Sequence, residues 1–116
     1  MGRRQMELTP GSVHWARPDT TVGREQAGRR PVLVVAGELY LATVTTLALV
    51  VPLTTTDRGW PNHVRIDGSV DLPAPTYAMT EQVRAISRDR MATPMGHVTQ
   101  ECLDEVRRWL RDYLED

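Results

Sequence analysis

Lysine is missing from this 116-residue chain, cysteine occurs once, and no apolar run approaches the length of a membrane span. The single Cys102 rules out an intramolecular disulfide. With no basic-then-apolar leader pattern at the start, a reducing cytoplasm is the expected setting. The longest apolar stretch, residues 47–53, contains Pro52 and falls well short of the roughly 20 residues a bilayer requires. His14, His63 and His97 are far apart, there is no cysteine pair and no His-x-x-x-His helix, so neither a metal nor another cofactor is expected. The Gly-x-Ser-x-Gly elbow is absent too, and the segment from Gly23 to Gly28 lacks the spacing of a nucleotide fingerprint. Acyl transfer and nucleotide hydrolysis therefore lose support.

Acidic residues outnumber basic ones by 15 to 14, and the net charge of −1 argues against a protein that holds polyanions by a general positive field. All the basic residues are arginine. Arginine offers a planar fork suited to phosphate and to stacking on bases, although GC-rich coding produces the same bias. Length and a hydrophobic content of 41% fit one domain over residues 1–116. A second copy of the chain would be a natural way for so small a domain to bury more surface.

Short runs rich in Val, Ile, Thr and Leu predict strands over 12–16, 31–36, 40–45, 48–54, 64–66 and 81–87. Between them lie a polar loop from Gly23 to Gly28, a turn through Asp57-Arg58-Gly59-Trp60-Pro61, and a tight-turn dipeptide Asp67-Gly68. Pro73 and Pro75 predict an extended or irregular path for 72–77. The period then changes. Thr99 is a candidate N-cap, Glu101 and Asp104 put acid near the positive end of a helix, and Leu103, Val106, Leu110 and Tyr113 follow helical spacing, flanked by Cys102 and Trp109. The fold class expected is mainly β with a C-terminal helix, a small barrel.

Three segments, in order, carry a family likeness. Gly23-Arg24-Glu25-Gln26-Ala27-Gly28-Arg29-Arg30-Pro31-Val32-Leu33-Val34-Val35 resembles the first motif of the MazF/PemK toxins. Val50-Val51-Pro52-Leu53-Thr54-Thr55-Thr56, followed by Gly59-Trp60-Pro61, is similar to their second, and Glu81-Gln82-Val83-Arg84-Ala85-Ile86 resembles a third. The resemblance implies an SH3-like barrel, a homodimer, and a sequence-selective endoribonuclease that cuts single-stranded RNA without a metal and is opposed by an antitoxin protein. The implied chemistry is attack of the ribose 2′-hydroxyl on the adjacent phosphorus, leaving a cyclic phosphate and a 5′-hydroxyl.

Carried onto this chain, the family's catalytic arginine falls on Arg30 and its catalytic hydroxyl on Thr54; Glu81 is the implied general base, best suited if burial raises its pKa. Some relatives place an arginine where this chain has Met79. RNA contacts are expected from Arg24, Glu25 and Gln26 in the first loop, from Arg58, from Gln82, and from Trp60 and Trp15 as stacking planes. Each has a structural alternative: Arg30 as a strand-edge ion pair, Thr54 as a β-former, Glu81 as a salt-bridge partner, Trp60 as a lid and Trp15 as core. His63 reads more simply as a surface residue than as a proton carrier. The competing function is a non-enzymatic toxin of the same barrel class that grips a protein, as the gyrase-poisoning CcdB toxins do.

Overall fold

The computed structural model of the chain describes residues 7–17 and 28–115. Its elements are β1 (Ser12–Ala16), β2 (Arg30–Val34), α1 (Glu38–Thr43), β3 (Leu47–Thr54), β4 (His63–Arg65), β5 (Gly68–Val70), β6 (Tyr77–Met79), β7 (Arg84–Ser87), β8 (Met91–Val98) and α2 (Gln100–Glu115), with 3₁₀ turns at Thr80–Gln82 and Arg88–Arg90. The strands form one antiparallel sheet in the order β4-β6-β3-β2-β1-β8-β5, with β7 also on β3. β4 and β5 stand at opposite ends of that order, yet only Ile66 and Asp67 separate them in the chain. The sheet must therefore curl until its ends meet, which makes it a small barrel.

Strands β2 and β3 are buried on both faces, which explains why their sequences read as apolar runs and not as alternation. Val13, Leu33, Val51, Leu53, Leu103 and Val106 share an inner cluster with α2, while Val32, Val34, Val50, Ile86 and Met91 form a second on the other face. Pro52 sits inside β3, where its missing N–H would ordinarily break a ladder. The first half of β3, Leu47 to Val50, pairs with β7, and Leu53 and Thr54 pair with β6. The proline occupies the place where the strand changes partners, so the missing donor costs little.

The helix stripe is as the sequence predicts. Thr99 Oγ1 accepts the Cys102 N–H at 3.1 Å, and Cys102, Leu103 and Val106 are buried with Trp109 and Leu110 packed beside them. Tyr113 is 43% exposed, but its hydroxyl reaches Thr80 Oγ1 at 2.6 Å. Among the described residues, no helix is long and apolar enough to cross a membrane.

Three expectations need correction. The strand predicted over 40–45 is instead α1, followed by a turn: Glu38, Leu39, Leu41 and Ala42 favour helix, and Tyr40 and Leu41 pack on the second cluster. Arg88 fixes the end of this helix by donating from Nη2 to the carbonyls of Leu41 (2.6 Å) and Val44 (3.0 Å). The strand predicted over 81–87 begins only at Arg84, because Glu81 lies in the 3₁₀ turn. Asp67-Gly68 is no hairpin turn, since Gly68 opens β5, which pairs with β8 and not with β4.

Strands β5, β6 and β8 carried no clear sequence signal. β8 contains Pro94 and Gly96, and its pairing with β1 shifts register on either side of His14. Gly96 has a φ of 129°, and a Cβ there would meet the Ser69 backbone carbonyl oxygen at 2.0 Å. Gly96→Ala is expected to destabilise the protein by about 3 kcal/mol through backbone strain and displacement of β5, read as a lower urea midpoint with an unchanged slope.

Candidate active site

The ladder between β2 and β3 pairs Val32 with Pro52, Leu33 with Val51 and Val34 with Val50. Continued two residues outward, that register sets Arg30 opposite Thr54 on one face of the sheet. Both line a hollow of about 360 Å³ together with Trp15, Arg29, Pro73 and Thr76. Thr54 Oγ1 accepts the Thr56 N–H at 3.1 Å, closing a local turn and leaving the hydroxyl hydrogen to donate into this space. Arg30 is exposed at the start of β2, and no described residue is seen to bond its guanidinium.

Arg30 also lines a second hollow of about 240 Å³, walled by Arg17, Gln82, Arg84 and Arg90 over a floor of Val32, Val50 and Ile86. Of the residues expected to touch RNA, Trp15 and Gln82 thus stand in the two hollows that share Arg30. Trp15 is half-buried, with the Arg29 guanidinium 5.5 Å from its ring centroid. Trp60 is 47% exposed in the loop after β3, and the Arg58 guanidinium lies 5.7 Å from its ring. Arg24, Glu25 and Gln26 fall outside the described residues. Sequence reading did not single out Arg17, Arg84, Arg90 or Thr76, which come from separate strands and loops.

Glu81 is placed differently from the other two candidate catalytic residues. It lines neither hollow; its carboxylate accepts from His63 Nε2 at 3.0 and 3.1 Å and from Asn62 Nδ2 at 2.9 Å, at the start of β4. Its pKa does not rise as a base would favour. Burial pushes the carboxyl up, but hydrogen bonds from His63, its own backbone N–H and Gln82, with the charge of His63, outweigh burial and hold it below the ordinary value. His63, expected at the surface, is buried at the start of β4, and its ring lies 4.8 Å from that of Trp60.

A permanently charged fork facing a hydroxyl donor, beside an aromatic wall and a second arginine-lined hollow, equips a small β-barrel to grip a phosphodiester. The comparisons with known proteins agree with that class. The family model described as PemK-like, MazF-like toxin of type II toxin-antitoxin system matches residues 9–114. The chain is 36% identical over 98 residues to the endoribonuclease toxin MazF of Escherichia coli (strain K12), covering 84% of this chain and 85% of that one. It is 29% identical over 103 residues to endoribonuclease EndoA of Bacillus subtilis (strain 168), covering 87% and 89%. Among solved structures, MazE-MazF (Form-II) from Deinococcus radiodurans superposes with a TM-score of 0.82 at 26% identity, over 96% of this chain and 98% of that one. The chain belongs to the PemK/MazF toxin family.

Because the folded pKa of Glu81 lies below its ordinary value of 4.5, its ionised form contributes stability that is present above that value and lost as pH falls through the folded pKa. The side chain is 32% exposed, so solvent screens the effect to about 1 kcal/mol or less. Urea unfolding should find wild type more stable than Glu81→Gln at neutral pH, with the difference disappearing in acid.

Proposed function

We propose that this protein is an endoribonuclease toxin that cuts single-stranded RNA by 2′-hydroxyl attack, acts in the cytoplasm as a homodimer, and is neutralised by a cognate antitoxin. It calls on no metal or other cofactor. The observation that carries this reading is the cross-strand placement of Arg30 and Thr54 over one hollow with an aromatic wall. In-line attack by the 2′-oxygen forms the new P–O bond as the bond to the 5′-oxygen breaks, and negative charge grows on the non-bridging oxygens. Arg30 donates two hydrogen bonds to those oxygens and Thr54 a third, so the charge meets fixed donors at the moment it develops. The 2′-hydroxyl proton leaves as the bond forms, and the departing 5′-oxygen takes up a proton. DNA lacks the attacking group and is not a substrate.

Glu81 is not assigned the proton-accepting role here, since its lone pairs are engaged by Asn62 and His63 and its pKa is held low. The strand runs from the Trp15 hollow past Arg30 into the hollow of Arg17, Gln82, Arg84 and Arg90, so Trp15 stacks a base on one side of the cut and Gln82 reads a base edge on the other. Arg58 extends this surface, and Arg24, Glu25 and Gln26, which precede β2 in the sequence, belong to the same RNA-contacting set. The protein-gripping alternative offers no reason for an arginine and a hydroxyl donor to face one another over a hollow.

A long single-stranded RNA incubated with the protein in EDTA is expected to give discrete fragments. Arg30→Ala should lower kcat/KM by about 10²- to 10³-fold and Thr54→Ala by about tenfold or more, with folding intact by circular dichroism. Loss of activity in EDTA, or full activity in Arg30→Ala, contradicts the proposal.

A further inference from the structure

The loop that presents Trp60 and the turn that presents Gln82 are tied together by a set of polar contacts that phosphate chemistry does not use. Glu81 accepts from both Asn62 and His63, and Thr80, which is fully buried, donates its hydroxyl to the Asn62 carbonyl at 2.7 Å. The His63 N–H in turn donates to the Trp60 carbonyl at 3.1 Å, and the His63 ring packs against the indole. From α2, the Tyr113 hydroxyl meets Thr80. Each end of Asn62 is thus held by the Thr80–Gln82 turn, and the next residue of that turn, Gln82, enters the Arg30 hollow.

Stability alone does not account for this arrangement. The His63 side chain is 2% exposed, and since Nε2 faces two carboxylate oxygens it carries the hydrogen. Its Nδ1 is then a buried polar atom with no partner among the described residues. Such a group costs about 1–3 kcal/mol, and an apolar side chain of similar size would avoid the cost. What the histidine supplies and an apolar residue does not is a directed link from the indole to Glu81.

We propose that His63 and Glu81 are positioning residues, a latch that locks the Trp60 loop to the Gln82 turn so that Gln82 keeps one place in the Arg30 hollow and Trp60 one place beside it. The proposal rests on the ribonuclease reading and deepens it: Glu81 acts on substrate placement through His63, not on the 2′-proton. Losing the latch loosens the groove, weakening RNA binding while leaving the phosphate-facing donors in place.

The test combines steady-state cleavage of a short RNA with NMR of the indole N–H groups. His63→Ala and Glu81→Ala are each expected to raise KM about tenfold with kcat within about twofold, and the double variant should be no worse than either single one. Glu81→Gln keeps an acceptor oxygen for the His63 N–H and should recover most of the loss. A kcat that falls about 100-fold in both Glu81 variants while His63→Ala stays active makes Glu81 the base and overturns the latch, as does simple addition of the two KM effects. Without substrate, Glu81→Ala should shift or broaden the Trp60 indole resonance, assigned with Trp60→Phe, and leave that of Trp15 in place; an unmoved Trp60 signal also overturns the latch. Failure of the wild type to cut RNA sinks the ribonuclease reading and with it the latch's role in cleavage, and the indole spectra separate that result from a latch that does not exist.

Discussion

The register of β2 on β3 is the constraint on which the rest depends. Val32 opposite Pro52 fixes which side chains of both strands face the inner cluster and which face the second, and the same period carries Arg30 and Thr54 to one face beyond the ladder's end. A slip of one residue would turn Arg30 away from Thr54 and send Val32 and Val34 into the packing places of Leu33 and Val35, whose neighbours differ. The packing that makes the barrel stable is therefore also what aligns Arg30 with Thr54. Pro52 reinforces this register, because only at the handover from β7 to β6 can β3 do without an N–H.

A net charge of −1 leaves little long-range attraction for RNA, so binding relies on local concentration of arginine. Arg30 is common to two hollows, one walled by Trp15 and Arg29 and the other by Arg17, Arg84 and Arg90. On the proposed reading, position more than total charge selects a single strand, since aromatic planes accept unstacked bases. The carboxylate of Glu81 is held outside both hollows by its bonds to Asn62 and His63.

Much of this was legible in the sequence, for reasons that differ by residue. The α2 stripe and its Thr99 cap follow from helical spacing, and β1, β2, β3 and β4 from β-branched runs. Arg30, Thr54 and Gln82 lie in segments that carry the family likeness, Trp15 was named as a stacking plane, and the barrel brings all four to two adjoining hollows. β8 was hidden because Pro94 and Gly96 read as breakers, although both sit where the pairing with β1 is irregular. α1 was hidden because a two-turn helix shows no full period and its end is held by the distant Arg88. The surroundings of Glu81 were hidden for the same reason: its partners Asn62 and His63 come from the preceding loop and strand, and no local pattern announces that pairing. Arg24, Glu25 and Gln26 lie outside the described residues, so those expectations stand as part of the proposal.

The central claim is that the attacking group is the RNA's own 2′-hydroxyl, with Arg30 and Thr54 stabilising the phosphate. Its most direct test is a short RNA carrying one cleavage site, compared with the same strand bearing a single 2′-deoxy nucleotide on the 5′ side of the scissile phosphate, with the product ends identified by mass spectrometry. The account predicts a 2′,3′-cyclic phosphate and a 5′-hydroxyl from the first strand, and from the second no cleavage with binding retained. Cleavage of the deoxy-substituted strand at the same bond would contradict it.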